Sequence, residues 1–258
     1  VIIRSFTGLA YASTILTYLF YDSRLFSFLI FLLSCLAIFE FQRLLKLKNI
    51  IPYILLGIMC FYFLLQKIQS QTISIILFIT LASHLLMLKW LFHKSFTKRF
   101  IVLFLTYGYI VFSCFFIIVI PYSSGEYNPK LMLFVFVLNW VNNSFAYLFG
   151  KIFGKTKLLP KVSPNKSWEG FWGGLAFSFI AAFFFYKLQI DIKPIQIIIC
   201  SILIPVLATL GDLIQSKIKR DAGVKDSGSL LPGHGGFYDR MDSIIFIAPW
   251  AFYILNKF

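Results

Sequence analysis

Acidic side chains are scarce in this chain: ten aspartates and glutamates stand among 258 residues, and only 13% of all residues are charged. A sequence that is 59% hydrophobic with so little charge lacks the polar surface a water-soluble globule needs. Paired cysteines are missing too. Cys35, Cys60, Cys114 and Cys200 each stand singly inside an apolar run, without a CxxC or Cys/His spacing, so they exclude a cysteine-based zinc site and read as small core hydrophobes. No internal repeat of domain length appears, which argues against a transporter built from duplicated halves. A cleavable signal is not evident either, so the first apolar run is expected to remain as a membrane span.

What the chain has in abundance is apolar length, 32 phenylalanines included. Runs able to cross roughly 30 Å of hydrocarbon fall at about 5–21, 25–45, 50–66, 72–92, 100–120, 131–149, 168–187, 195–216 and 241–256. The expected fold is therefore all-α, a polytopic integral membrane protein with about nine transmembrane helices and a polar site on its cytoplasmic face. Residues 1–120 form an N-terminal region of about five spans, and 121–258 a C-terminal catalytic region of about four. The net charge of +14 follows the same pattern. Eighteen of the 24 lysines and arginines fall at the N-terminus or in the loops after spans two, four, six and eight, and six on the other side. This asymmetry puts those loops in the cytoplasm and speaks for a bilayer partner, with no nucleic acid.

Against that background one stretch stands out. Gly211 to Ser243 holds half of all the acids, Asp212, Asp221, Asp226, Asp239 and Asp242, with Lys217, Lys219, Arg220, Lys225 and Arg240 interleaved. Each charge at a bilayer centre costs roughly 2.5–3.5 kcal/mol, so these groups belong at a membrane surface or in a watery cavity. Gly223, Gly228, Pro232, Gly233, Gly235 and Gly236 break the stretch into loop between two apolar segments. Asp212, Ser216 and Lys219 recur at the spacing of one helix face, and Asp239 and Asp242 share another. Gathered carboxylates suit a hard cation such as Mg²⁺, which keeps phosphate and water in its shell, and the cations would hold the phosphates.

The run from Ser216-Lys217-x-Lys219-Arg220 through Lys225-Asp226-x-Gly228 and Leu231-Pro232-x-His234-Gly235-Gly236 to Asp239-Arg240-x-Asp242 resembles the signature of the phosphatidate cytidylyltransferases, or CDP-diacylglycerol synthases. A second region, Asn139 to Gly170, is similar to the same family in Asn142-Asn143-x-Phe145-Ala146-Tyr147, Phe153-Gly154-Lys155 and Ser163-Pro164-x-Lys166-Ser167-x-Glu169-Gly170. Two crossings separate the regions, so they can meet on one face. The family generally has an aspartate where this chain has Asn143, a neutral amide in place of a charge.

The resemblance implies transfer of the cytidylyl group of CTP to phosphatidate in phospholipid biosynthesis, giving CDP-diacylglycerol and pyrophosphate. It implies Mg²⁺ on Asp212 and Asp239, with Asp226 and Asp242 as further ligands, and room for a second cation. Lys219 and Arg220 join these as catalytic groups. Ser216, Lys217, Lys225 and Arg240 would clamp phosphates, as would the backbone at Gly235 and Gly236. His234 is a general acid/base or a phosphate donor, and Ser163, Lys166 and Ser167 would contact nucleotide or lipid phosphate. A homodimer in a bacterial inner membrane is the expected assembly. Other readings stay open: a salt-bridge network tying loops together, a CTP-dependent lipid-alcohol kinase, or an ion-coupled transporter. A CDP-alcohol phosphotransferase fits poorly, because its spaced aspartates with DG and AR pairs are absent. Within the earlier spans only Glu40 and His84 are ionisable landmarks; Glu40 is expected to play a structural part and to reach Arg43, and His84 to be a satisfied packing residue.

Overall fold

A computed structural model describes residues 2–92, 105–188, 191–228 and 235–257. Helix α1 covers Ile2–Tyr21, α2 Ser23–Leu44, α3 Ile51–Leu64 and α4 Ser70–Phe92. A π-helical turn over Leu105–Val111 runs into α5, Phe112–Val119. Then come α6 at Pro129–Phe153, strands β1 at Lys157–Leu159 and β2 at Ser163–Ser167, α7 at Trp168–Lys187, α8 at Pro194–Asp221 and α9 at Tyr238–Lys257. The helices fall where the apolar runs stand. Residues 100–104 of the expected fifth span lie outside the described residues.

Short polar residues start the helices. Asp22 Oδ1 accepts from the amides of Arg24 at 2.8 Å and Leu25 at 2.9 Å, Asn128 Oδ1 from Lys130 at 3.1 Å, and Ser167 Oγ from Gly170 at 3.2 Å. Pro129 and Pro194 open α6 and α8 at positions where a missing N–H costs nothing. Among the described residues, six helical segments are long and apolar enough to cross a membrane: α2, α4, the stretch Leu105–Tyr122 that contains the π-turn and α5, α6, α7 and α8. Helix α3 is shorter at 14 residues, and α9 carries Asp239, Arg240 and Asp242 in its first two turns.

Helices α5 and α9 form the axis of the bundle. All of Ser113–Val119 is buried, as are Ile244–Pro249, and α9 packs against α2, α4, α5 and α8. A helix apolar all round belongs in the interior. The outward phenylalanines, Phe28, Phe61, Phe78, Phe179 and Phe184 among them, stand on the periphery where lipid would meet them. His84 sits in this core with both ring nitrogens engaged, Nδ1 accepting from Trp250 Nε1 at 3.1 Å and Nε2 lying 3.0 Å from Ser113 Oγ. An indole N–H only donates, so the ring is neutral and Nε2 donates to the serine, the satisfied packing role expected for it.

The expected all-α fold holds, with one short hairpin added to it. The basic loop after α6 folds as an antiparallel hairpin, pairing Lys157 with Ser167 and Leu159 with Ser163. Helix α7 leaves it packed tightly on α6, because small residues line the seam. A Cβ at Gly174 would lie 2.5 Å from Asn142 Oδ1, and one at Gly170 2.6 Å from the Ala146 carbonyl. Gly174→Val is therefore expected to cost about 2 kcal/mol through overpacking. The thermal unfolding midpoint of purified protein in detergent should fall, whereas Gly57→Ala, whose added Cβ meets nothing closer than 3.7 Å, should leave it unchanged; equal midpoints would sink the packing argument.

Candidate active site

A cavity of about 640 Å³ opens between α6, the hairpin, the start of α7 and the middle of α8. Its polar wall includes Asn143, Lys151, Lys157, Ser163, Lys166 and Asp212, and Ser167 also lines it. The hairpin is what aims Lys166: its Nζ lies 2.5 Å from Asp212 Oδ2, both side chains half-buried. The two polar regions thus meet through an ion pair between residues 46 apart in sequence. Glu169 holds the hairpin's base, its carboxylate accepting from the Thr156 amide at 3.0 and 3.2 Å, while Ser167 caps α7.

Beyond Asp212 the site continues into α9. Ser243 Oγ lies 2.7 Å from Asp212 Oδ1 and 3.2 Å from Asp242 Oδ1, and the Asp242 carboxylate also takes the Ser243 amide at 2.6 Å. One hydroxyl proton cannot serve two carboxylates, so the pair is held close with capacity to spare. Asn143 stands beside them. Its amide nitrogen lies 3.3 Å from both Ser243 Oγ and Asn139 Oδ1, a donor that an aspartate could not supply, and its oxygen accepts from Asn142 at 3.2 Å. The buried Asn142 Oδ1 has no hydrogen-bond partner among the described residues.

Asp239 belongs to a different cluster, which divides the carboxylates that sequence spacing had grouped. Its Oδ1 accepts from Lys219 at 2.7 Å, and its Oδ2 from the Ser227 amide at 2.9 Å, the Ser227 hydroxyl at 2.9 Å and the Gly236 amide at 3.0 Å. The reason is local: at the first turn of α9, unpaired helix amides and the loop before them draw the carboxylate inward. Asp226 is exposed beside Gly235. Among the described residues, no three of His, Cys, Asp and Glu gather as a metal-holding group.

Glu40 joins the Asp239 cluster from the far end of the chain. It is 1% exposed, and its carboxylate accepts from Phe237 N at 3.1 Å and Tyr238 N at 2.9 Å and lies 2.7 Å from Ser227 Oγ, whose one proton it shares with Asp239. This corrects the expected contact with Arg43: Glu40 plays its structural part at the start of α9, 197 residues away in sequence. A Cβ at Gly236 would lie 2.0 Å from Glu40 Oε2, and Gly235 has φ of +83°, so both positions demand glycine.

The remaining candidates spread outward. Lys217 turns toward α4, donating to the Trp90 carbonyl and, at 3.3 Å, to that of Leu91, with its ammonium 4.4 Å from the Trp90 ring centroid. Arg220 donates to the Val224 carbonyl at 3.3 Å, Lys225 and Arg240 are exposed, and Ser216 is half-buried. His234 lies outside the described residues. Lys151, Lys157, Asn165, Ser227 and Ser243 were not singled out from sequence. Their types are common in loops and helix ends, and only their position on the cavity wall or between carboxylates marks them.

The sequence profile of the Cytidylyltransferase family matches residues 2–258. The chain belongs to that family. A phosphatidate cytidylyltransferase of Bacillus subtilis strain 168 is 32% identical over 99% of this chain and 97% of its own length. Two further phosphatidate cytidylyltransferases align over about half of their length. The one from Haemophilus influenzae is 45% identical over 51% of this chain and 48% of that protein, and the one from Staphylococcus epidermidis RP62A is 40% identical over 50% of each. The two polar regions that hold the family resemblance are those that meet at the Lys166–Asp212 pair.

Removing the Glu40 carboxylate leaves the Phe237 and Tyr238 amides without their acceptor, while the Ser227 hydroxyl still reaches Asp239, so Glu40→Ala is expected to cost about 3 kcal/mol. Glu40→Gln should cost less, since one oxygen still accepts. Urea or thermal unfolding of the purified protein measures both; a Glu40→Ala protein as stable as the parent would contradict the bonding described.

Proposed function

We propose that this protein transfers the cytidylyl group of CTP to phosphatidate, forming CDP-diacylglycerol and pyrophosphate. The observation that carries this reading is the Lys166–Asp212 pair on the wall of the cavity of about 640 Å³, in a chain that belongs to the Cytidylyltransferase family over nearly its whole length. The cavity has the volume of an ordinary small-ligand site and a wall rich in cations and hydroxyls, as a nucleoside triphosphate requires.

In this reading a phosphatidate oxygen attacks the α-phosphorus of CTP. The new P–O bond forms as the bond to the bridging oxygen of pyrophosphate breaks, and pyrophosphate leaves with the electron pair. A phosphate monoester is already a competent nucleophile at neutral pH, so the chemistry asks mainly for positioning and charge stabilisation. Lys151, Lys157 and Lys166 would supply positive charge along the triphosphate, and Ser163 and Ser167 hydroxyl contacts. Lys219 and Asp239 would hold Gly235 and Gly236 beside the phosphates, and His234 would act there as a phosphate donor or general acid/base. Arg220, Lys225, Arg240, Ser216 and Lys217 would form the outer ring of the polar surface.

The donor set fits a divalent cation. Asp212 and Asp242 offer hard oxygens around one shared hydroxyl, and Mg²⁺ is commonly held by one or two carboxylates with substrate phosphates and water completing its shell. When bound there, it would neutralise charge on the reacting phosphates. Asp239, already engaged by Lys219, two backbone amides and the hydroxyl it shares with Glu40, acts in this reading as an anchor at the start of α9, and Asp226 remains a solvent-side carboxylate.

All nine helices would act as spans, α3 and α9 included, with the N-terminus and the cavity facing the cytoplasm. The basic asymmetry of the loops supports this orientation, and a bacterial inner membrane is the location that goes with this reading.

Purified protein given CTP, phosphatidate and Mg²⁺ is expected to release pyrophosphate and cytidylylated lipid. Asp212→Asn should reduce turnover at least about 100-fold by removing charge stabilisation, and EDTA should abolish it. Release of CDP with no cytidine on the lipid would overturn the transferase reading in favour of a kinase, and activity that persists in EDTA would remove the cation.

A further inference from the structure

One turn beyond Glu40, α2 ends with Arg43 exposed, and the loop that follows carries Lys46 and Lys48, also exposed. The three cations line a cavity of about 560 Å³ with Phe39, Ile50 and Tyr53. Its floor is built by polar contacts. Gln42, 5% exposed, donates Nε2 to the Asn49 carbonyl at 2.9 Å and accepts from the Tyr53 hydroxyl at 3.4 Å, and Asn49 Oδ1 accepts from the Ile51 amide at 3.0 Å. The chain closes α2 with Leu47 N bonded to Gln42 O at 2.8 Å and Lys46 N to Arg43 O at 3.2 Å. This closure puts Lys46 at φ +54°, the left-handed position that glycine usually fills. A lysine stands there instead, at the mouth of the cavity.

Among the described residues no carboxylate pairs with Arg43, Lys46 or Lys48. The apolar side of the cavity is open, with Phe39 52% and Ile50 66% exposed on the periphery of the bundle. Because Glu40 reaches the start of α9, this cavity lies on the same end of the molecule as the candidate active site. Loop cations placed only for topology need no cavity and no apolar wall. Here both are present, a charged ring at a helix end and a greasy flank beside it, which is the chemistry of a phosphate headgroup with the start of an acyl chain.

We propose that this cavity binds an anionic glycerophospholipid of the surrounding bilayer, its phosphate held by Arg43, Lys46 and Lys48 and its chains lying along Phe39, Ile50 and Tyr53. The test is native mass spectrometry of the full chain in mild detergent with added phosphatidylglycerol or phosphatidylcholine. The protein is expected to retain the anionic lipid well above the zwitterionic one. Lys46→Gly should lower that retention about fivefold while leaving the thermal midpoint unchanged or raised, since glycine suits the left-handed backbone. The combined Arg43→Gln, Lys46→Gly, Lys48→Gln protein should lose the preference. Equal retention of the two lipids by the parent protein, or undiminished retention by Lys46→Gly, would overturn the proposal.

Discussion

A carboxylate buried at the end of a greasy bundle survives only where the chain brings donors to it, and this requirement organises the molecule. Asp239 and Glu40 together collect Lys219, the Ser227 hydroxyl, and the amides of Ser227, Gly236, Phe237 and Tyr238. Those amides include the donors that the start of α9 would otherwise leave unpaired. The same contacts tie Ser227 and the start of α9 to α2, so the N-terminal helices are part of the scaffold of the site. With α9 held, Asp242 and Ser243 face Asp212, and Asp212 in turn receives Lys166 from the hairpin.

The division of labour among the acids follows from this. Saturated by donors, Asp239 and Glu40 have little left to offer a ligand. Asp212 and Asp242 crowd around one serine hydroxyl with oxygen lone pairs to spare, and repulsion between them favours a positive partner. Lys166 supplies that partner in the structure described, from the wall of the cavity where the triphosphate is proposed to sit. The amide of Asn143 keeps the cluster from gaining a third charge while still bonding Ser243.

Much of the helical framework could be read in advance because long apolar runs bounded by polar residues leave few alternatives in a bilayer. The polar segments were also marked by charge, and the contact between 166 and 212 realises the expected meeting of the two regions. Glu40 was harder to place, since helical spacing offers Arg43 as a neighbour and says nothing about amides nearly two hundred residues on. The hairpin was hidden for another reason. Its strands, three and five residues long, consist largely of lysine, serine, proline and asparagine, types that carry little strand preference. The separation of Asp239 from Asp212 and Asp242 depends on backbone amides, which no side-chain pattern reports.

The hairpin's pairing has a consequence for how the site can change. Strand residues alternate faces, so slipping β2 by one residue would turn Lys166 away from Asp212 and present a neighbour in its place. The turn at 160–162 therefore meters the position of the lysine: lengthening or trimming it would disable the pocket without altering a single group on its wall.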